Sequence, residues 1–198
     1  MHLLDFLKPW EFSPVLMVSF LLLFWLYTRG FMAIKRVDRT AKTYWQAVSF
    51  YIGLFSIYIV SHTYIDYLSQ YMFWVHRFQH LVLHHLAPML MVLGAVEIVR
   101  KGLPNYWPCW SSVPTLIRWP CERLYHLIQH PVLAPILFVG LIYLWLIPDI
   151  HFIAMLSKKL YYVMNWSMLL DGFLFWWLVL GPEWRGEGKG FIRIYGST

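Results

Sequence analysis

The stretch from Tyr71 to Gly94, YMFWVHRFQHLVLHHLAPMLMVLG, constrains this chain more than any other. It is apolar and long enough to cross a bilayer, yet it carries His76, His80, His84, His85 and Arg77. On a continuous helix, at about 100° per residue, Met72, His76, His80 and His84 each advance by roughly 40°. A thioether and three imidazoles are therefore predicted along one slowly winding stripe, with His85 about 180° from His76. Ionisable groups inside a membrane span are costly, so by default they mark an ion, cofactor or proton site. Pro88 has no amide hydrogen and deprives the His84 carbonyl of its usual donor, which predicts a kink where the stripe ends.

Composition supports the membrane reading. Of 198 residues, 60% are hydrophobic, 20% aromatic and only 13% charged, which predicts an all-α polytopic bundle with about five transmembrane helices. The net charge of +6 does not point to nucleic acid, because the basic residues fall in short loops between apolar runs, where they set orientation. The opening MHLLDFLKPWEFSP mixes acids with aromatics and lacks the basic region and small-residue site of a cleavable signal peptide.

In chain order, spans are predicted near residues 12–34, 43–61, 68–96, 131–148 and 160–181 within one domain, with an interfacial loop over 102–130. Arg29, Lys35, Arg36, Arg39 and Lys42 follow the first span and mark that loop as cytoplasmic. The connectors HTYIDYLSQ and PDIHF contain no Lys or Arg and are predicted outside. All Lys and Arg except Lys8, Arg77, Lys158 and Lys159 then lie on the cytoplasmic side. An outside N-terminus and a cytoplasmic C-terminus follow, in a multi-pass protein of a bacterial cytoplasmic (inner) membrane. Cys109 and Cys121 fall in the inner loop, where a structural disulfide is not expected. With His126 and His130 they suggest a zinc site, but the cysteine gap fits no familiar ligand spacing.

In this topology Met72 and His76 lie near the outer mouth, where His62, Asp66, Asp149 and His151 gather further oxygen and nitrogen donors. Methionine with histidine suits copper, and an i, i+4 pair such as His76 and His80 can share one ion from a single helix face. The predicted metal set is Met72, His76 and His80, with His84 as a deeper or transfer ligand. His85, Asp171, His62, Asp66 and His151 are possible additional ligands or proton-relay groups. Asp171, near the middle of the last span, requires a partner, and a histidine suits its depth better than Arg77. Two other readings compete: histidines that only organise helix packing, and b-type haem, which needs axial imidazoles from two places. No nucleophile–base pair or phosphate loop appears, so catalysis is not expected.

The same residues carry a family resemblance. His76, Gln79 and His80 followed by LVLHHLAPMLMVLG resemble the HMxQHLLL…APPLLVLG signature of the multispanning CtaG-type cytochrome c oxidase assembly factors. Trp10 to Pro14, Tyr27 to Gly30, Asp66, Trp145 with Pro148, and GFLFWW at Gly172 to Trp177 fall in that family's order, covering nearly the whole chain. The resemblance implies maturation of a copper-containing respiratory oxidase, with its subunits or those of another respiratory complex as partners and copper handled at the outer face. A permanent structural subunit of such a complex is the alternative role. Tyr161 and Asn165 stand where the family usually has a second histidine pair, and Leu146 replaces another histidine. His84, His85 and Asp171 are extra polar groups. The family tends to continue with further spans beyond position 181.

Overall fold

The computed structural model describes residues 12–34, 39–101, 123–124 and 127–181. Among these the longer regular elements are all helices: α1 (Pro14–Ala33), α2 (Ala41–His62), α3 (Tyr64–Tyr71), α4 (Phe73–Leu81), a π-turn (Val82–Leu86), α5 (Ala87–Lys101), α6 (Leu133–Leu146), α7 (Pro148–Leu156) and α8 (Lys158–Leu180). Three single helices, α1, α2 and α8, are long and apolar enough to cross a membrane, as is the run Phe73–Val96. A fifth crossing results if α6 and α7, bent by 73° across one residue, count as one broken span. The all-α bundle of four to five spans agrees with expectation. The suggested zinc residues Cys109, Cys121 and His126, and most of the 102–130 loop, lie outside the described residues.

Local chemistry sets the helix ends. Ser13 caps α1 by accepting from the Leu16 amide, with Pro14 in the first turn where its missing amide hydrogen costs nothing. Arg39 folds back on the other end of α1, its guanidinium donating to the carbonyls of Phe31, Met32 and Ile34. Thr40 and Thr43 form a capping box that starts α2.

The tightest packing is between α2 and α5, and it depends on glycine. A Cβ on Gly53 would lie 2.7 Å from Met91 Cγ and 2.8 Å from the Ala87 carbonyl oxygen; one on Gly94 would collide with the Gln46 carbonyl. With hydrogen as the side chain, the helices approach closely enough for the Ser49 hydroxyl to reach the Leu90 carbonyl at 2.9 Å. Tyr27 of α1 stacks on Phe50 with ring centroids 3.6 Å apart and donates to the Gly94 carbonyl, fastening the first helix to this pair.

Two expectations are corrected. The histidine span is not one continuous helix from 68 to 96: Met72 has extended backbone angles (φ −119°, ψ 111°), and the outer connector HTYIDYLSQ is itself mostly the short helix α3. The Pro88 kink takes the form of a π-turn. Proline's ring would clash with the carbonyl four residues back, that of His84, so the backbone widens and Ala87 donates instead to Val82, five residues back. The released His84 carbonyl points at Gly172 of α8, where any Cβ would clash with it. The PDIHF connector is likewise the first part of a helix, α7.

Candidate functional site

Three imidazoles meet near the junction of α4, α7 and α8. His76 and His80, one turn apart on α4, have ring centroids 4.4 Å apart. The bend between α6 and α7 returns the chain so that the His151 ring lies 4.9 Å from that of His76. His76 is 1% exposed and neither of its ring nitrogens has a hydrogen-bond partner; Nε2 of His80 and Nδ1 of His151 are also buried and unpartnered. Burying polar atoms without partners is costly, so four such nitrogens in one cluster are a candidate ligand set rather than satisfied packing. Among the described residues no group of three or more His, Cys, Asp or Glu converges on one ion position, so the His76–His80 pair is the closest approach to a metal site.

A hydrogen-bonded lock holds this pair in place. Gln79, fully buried between the two histidines, donates to the Val60 carbonyl at 2.8 Å and to Asp66 Oδ1 at 2.9 Å. Tyr161 of α8 donates its hydroxyl hydrogen to Asp66 Oδ1 at 2.7 Å, and its oxygen lies 3.1 Å from Gln79 Oε1 and 2.9 Å from the Ser69 hydroxyl. Asp66 thereby ties α3, α4 and α8 together, and the Tyr161 ring centroid is 6.4 Å from that of His76. Gln79 is noted in the sequence only as part of the family signature and Tyr161 only as a departure from it. Their joint role depends on side chains far apart in the chain.

The other predicted residues disperse. Met72 sits at the helix break, 40% exposed. His62 ends α2 on the other side of the bundle, against the rings of Tyr58 and Phe12, away from the cluster. His84 is fully buried and its Nε2 lies 3.1 Å from Asp171 Oδ2; that histidine, not Arg77, takes the carboxylate. Phe138 stacks on the His84 ring at 4.0 Å, with His85 edge-on at 4.7 Å. The π-turn therefore removes His84 from the register of His76 and His80 and assigns it to a separate hydrogen-bonded unit with Asp171.

Arg77 lies between two cavities. One, of about 200 Å³, is lined by Arg77, His80, His85, Trp145 and Met168 among others; the other, an open recess of about 640 Å³, by Arg77, Asp149, His151 and Phe152 among others. The guanidinium stands 4.6 Å over the Phe73 ring and its buried Nε has no acceptor. Arg77 thus fixes a positive charge next to the imidazoles and is the polar group common to both cavities.

A membrane bundle that buries a histidine pair behind an Asp–Gln–Tyr lock defines a class of helical membrane protein with a polar site inside its spans. Residues 25–194 match the family model of the cytochrome c oxidase caa3 assembly factor, and the chain belongs to that CtaG family. Among curated proteins it is similar to an uncharacterized protein of Mycobacterium leprae, 25% identical over 92% of this chain and 28% of the relative. Uncharacterized proteins of Mycobacterium bovis and Mycobacterium tuberculosis are each 24% identical over 89% of this chain and 27% of theirs. The chain thus spans little more than a quarter of the length of these relatives. No solved structure matches it.

Proposed function

We propose that this chain handles copper during assembly of a cytochrome c oxidase, with Cu(I) as cargo on the His76–His80 pair. The observation that carries this reading is the pair itself: adjacent buried imidazoles, fixed in place, with free ring nitrogens. Cu(I) accepts few ligands and favours soft or imidazole donors, so two or three nitrogens suffice where a tetrahedral ion would need more. His151, beside His76 and lining the open recess, is the entry ligand in this reading. Cargo passes from His151 to the pair by ligand exchange, without a change of oxidation state. The connectors bearing His151 and Asp66 face the outer side, and the Arg39 and Lys42 end of the bundle faces the cytoplasm.

The lock explains how such a site stays ready. The Gln79 hydrogen bonds hold α4 from the flank beside the two histidines, so neither imidazole needs to rearrange to accept the ion. Contact between the His76 and His151 rings leaves no slot for a flat macrocycle between them, which favours an ion over b-type haem. Oxidase subunits are the proposed partners.

The test is Cu(I) loading of the purified protein under reducing conditions, compared with His76→Ala plus His80→Ala. Loss of about one equivalent of copper in the double variant is expected. Unchanged stoichiometry would overturn the proposal.

A further inference from the structure

His62 is not used by the site above. It is 2% exposed, yet neither ring nitrogen has a hydrogen-bond partner. It stands at one end of a cleft of about 390 Å³ between α1, α2, α5 and α8. That volume lies within the range of small-molecule sites. From Phe50 to His62 the cleft follows about 18 Å of α2. Its walls are apolar, a mixture of aliphatic and aromatic side chains with Phe20, Leu54, Trp166 and Phe173 among them; Ser61, Tyr58 and His62 gather at one end.

We infer that this cleft binds a lipid-soluble molecule with a long hydrocarbon tail and an uncharged carbonyl or hydroxyl head, the head pairing with His62. Three observations select this occupant. Among the described residues no Lys, Arg, Asp or Glu lines the cleft, so a phosphate or carboxylate head meets no counter-charge from them. A water-sized void of about 20 Å³ shares Ser61, Ile57 and Trp166 with the cleft, and among the described residues it too has no Lys or Arg in its lining. A neutral imidazole offers one donor and one acceptor nitrogen, matching a carbonyl or a hydroxyl equally well. Another transmembrane helix is disfavoured because the Phe20, Trp166 and Phe173 rings in the walls hold a helix backbone off, whereas a flexible chain fits between them.

The probes are a diazirine-tailed stearyl alcohol and its stearate counterpart, identical in tail and different in head, photo-crosslinked to the full chain in detergent with peptide mapping. The alcohol is expected to label cleft residues such as Leu169 and Phe173 and to be competed by unlabelled stearyl alcohol. Labelling by stearate should be about tenfold weaker, and His62→Leu should weaken alcohol labelling by a similar factor. His62→Gln, which keeps a donor and an acceptor, should stay within about twofold of the parent. Leu170→Trp, at an exposed position on the rim, should block labelling without disturbing the core and serves if His62→Leu does not fold. Equal labelling by alcohol and stearate, labelling indifferent to His62→Leu, or labelling indifferent to Leu170→Trp overturns the inference and makes the cleft an adventitious contact for acyl chains only.

Discussion

Tyr161 has one hydroxyl hydrogen and three acceptors within reach, Asp66 Oδ1 at 2.7 Å, Ser69 Oγ at 2.9 Å and Gln79 Oε1 at 3.1 Å. The shorter, charge-assisted contact takes the hydrogen, so Tyr161→Phe removes that hydrogen bond from Asp66. We expect that variant to lose about 1–3 kcal/mol of stability, read as a lower thermal midpoint in detergent. Its Cu(I) affinity should also fall, because the lock that positions His76 and His80 loosens. Arg77 acts in the opposite sense. Its fixed positive charge beside the imidazoles opposes a second cation in a region of low dielectric. Arg77→Met is therefore expected to raise Cu(I) affinity by roughly tenfold, measured by competition with a chromogenic Cu(I) chelator, while Arg77→Lys leaves it near the parent value. A fall in affinity with Arg77→Met would mean that the guanidinium organises the site instead of repelling the ion.

At the scale of elements, the π-turn and α8 are fitted to each other. Proline at 88 forces the backbone to widen over Val82–Leu86, and Gly172 supplies the one surface on α8 that can receive the displaced His84 carbonyl. A methyl group at Gly172 would also lie 2.9 Å from Pro88 Cγ. Gly172→Ala is expected to cost about 1–3 kcal/mol and to part His84 from Asp171 by pushing α8 outward. The comparison with Gly140→Ala is instructive, since nothing lies within 4 Å of a Cβ there and the same change should be near neutral or stabilising. Unfolding midpoints of the two variants in one detergent check both. The break at Met72 belongs to the same scale: it lets α3 turn across the end of the bundle and bring Ser69 and Asp66 to Tyr161.

At the scale of the molecule, orientation decides which cavity meets which compartment. In the proposed topology the recess lined by Asp149 and His151 opens outward. Asp149→Cys, in a background lacking Cys109 and Cys121, should react with a membrane-impermeant maleimide in intact cells, because position 149 is exposed. Labelling only after the membrane is permeabilised would reverse the topology. Membership of an assembly-factor family also leads to an expectation about amounts: co-purification in mild detergent should give this chain below one copy per mature oxidase. One copy per complex would favour a permanent subunit.

Much of this architecture was legible in the chain itself. Apolar runs of span length and the basic loop after the first one dictate a polytopic helical bundle, because no unpaired backbone polar group is tolerated in hydrocarbon. His76 and His80 declared themselves by their cost in such a span, and together with Gln79 by their match to a family signature. Helical arithmetic failed where the helix did. Met72 left the stripe because the chain turns there, and His84 left it because Pro88, about one turn further on, widens the backbone over Val82–Leu86. Only the folded arrangement could place His151 against His76, Tyr161 against Asp66 and His84 against Asp171, since each pair comes from separate helices, and the last also depends on Gly172 making room for the His84 carbonyl. His62 shows the same division. Its polarity was visible in the sequence, but which wall of the bundle it faces was decided by packing.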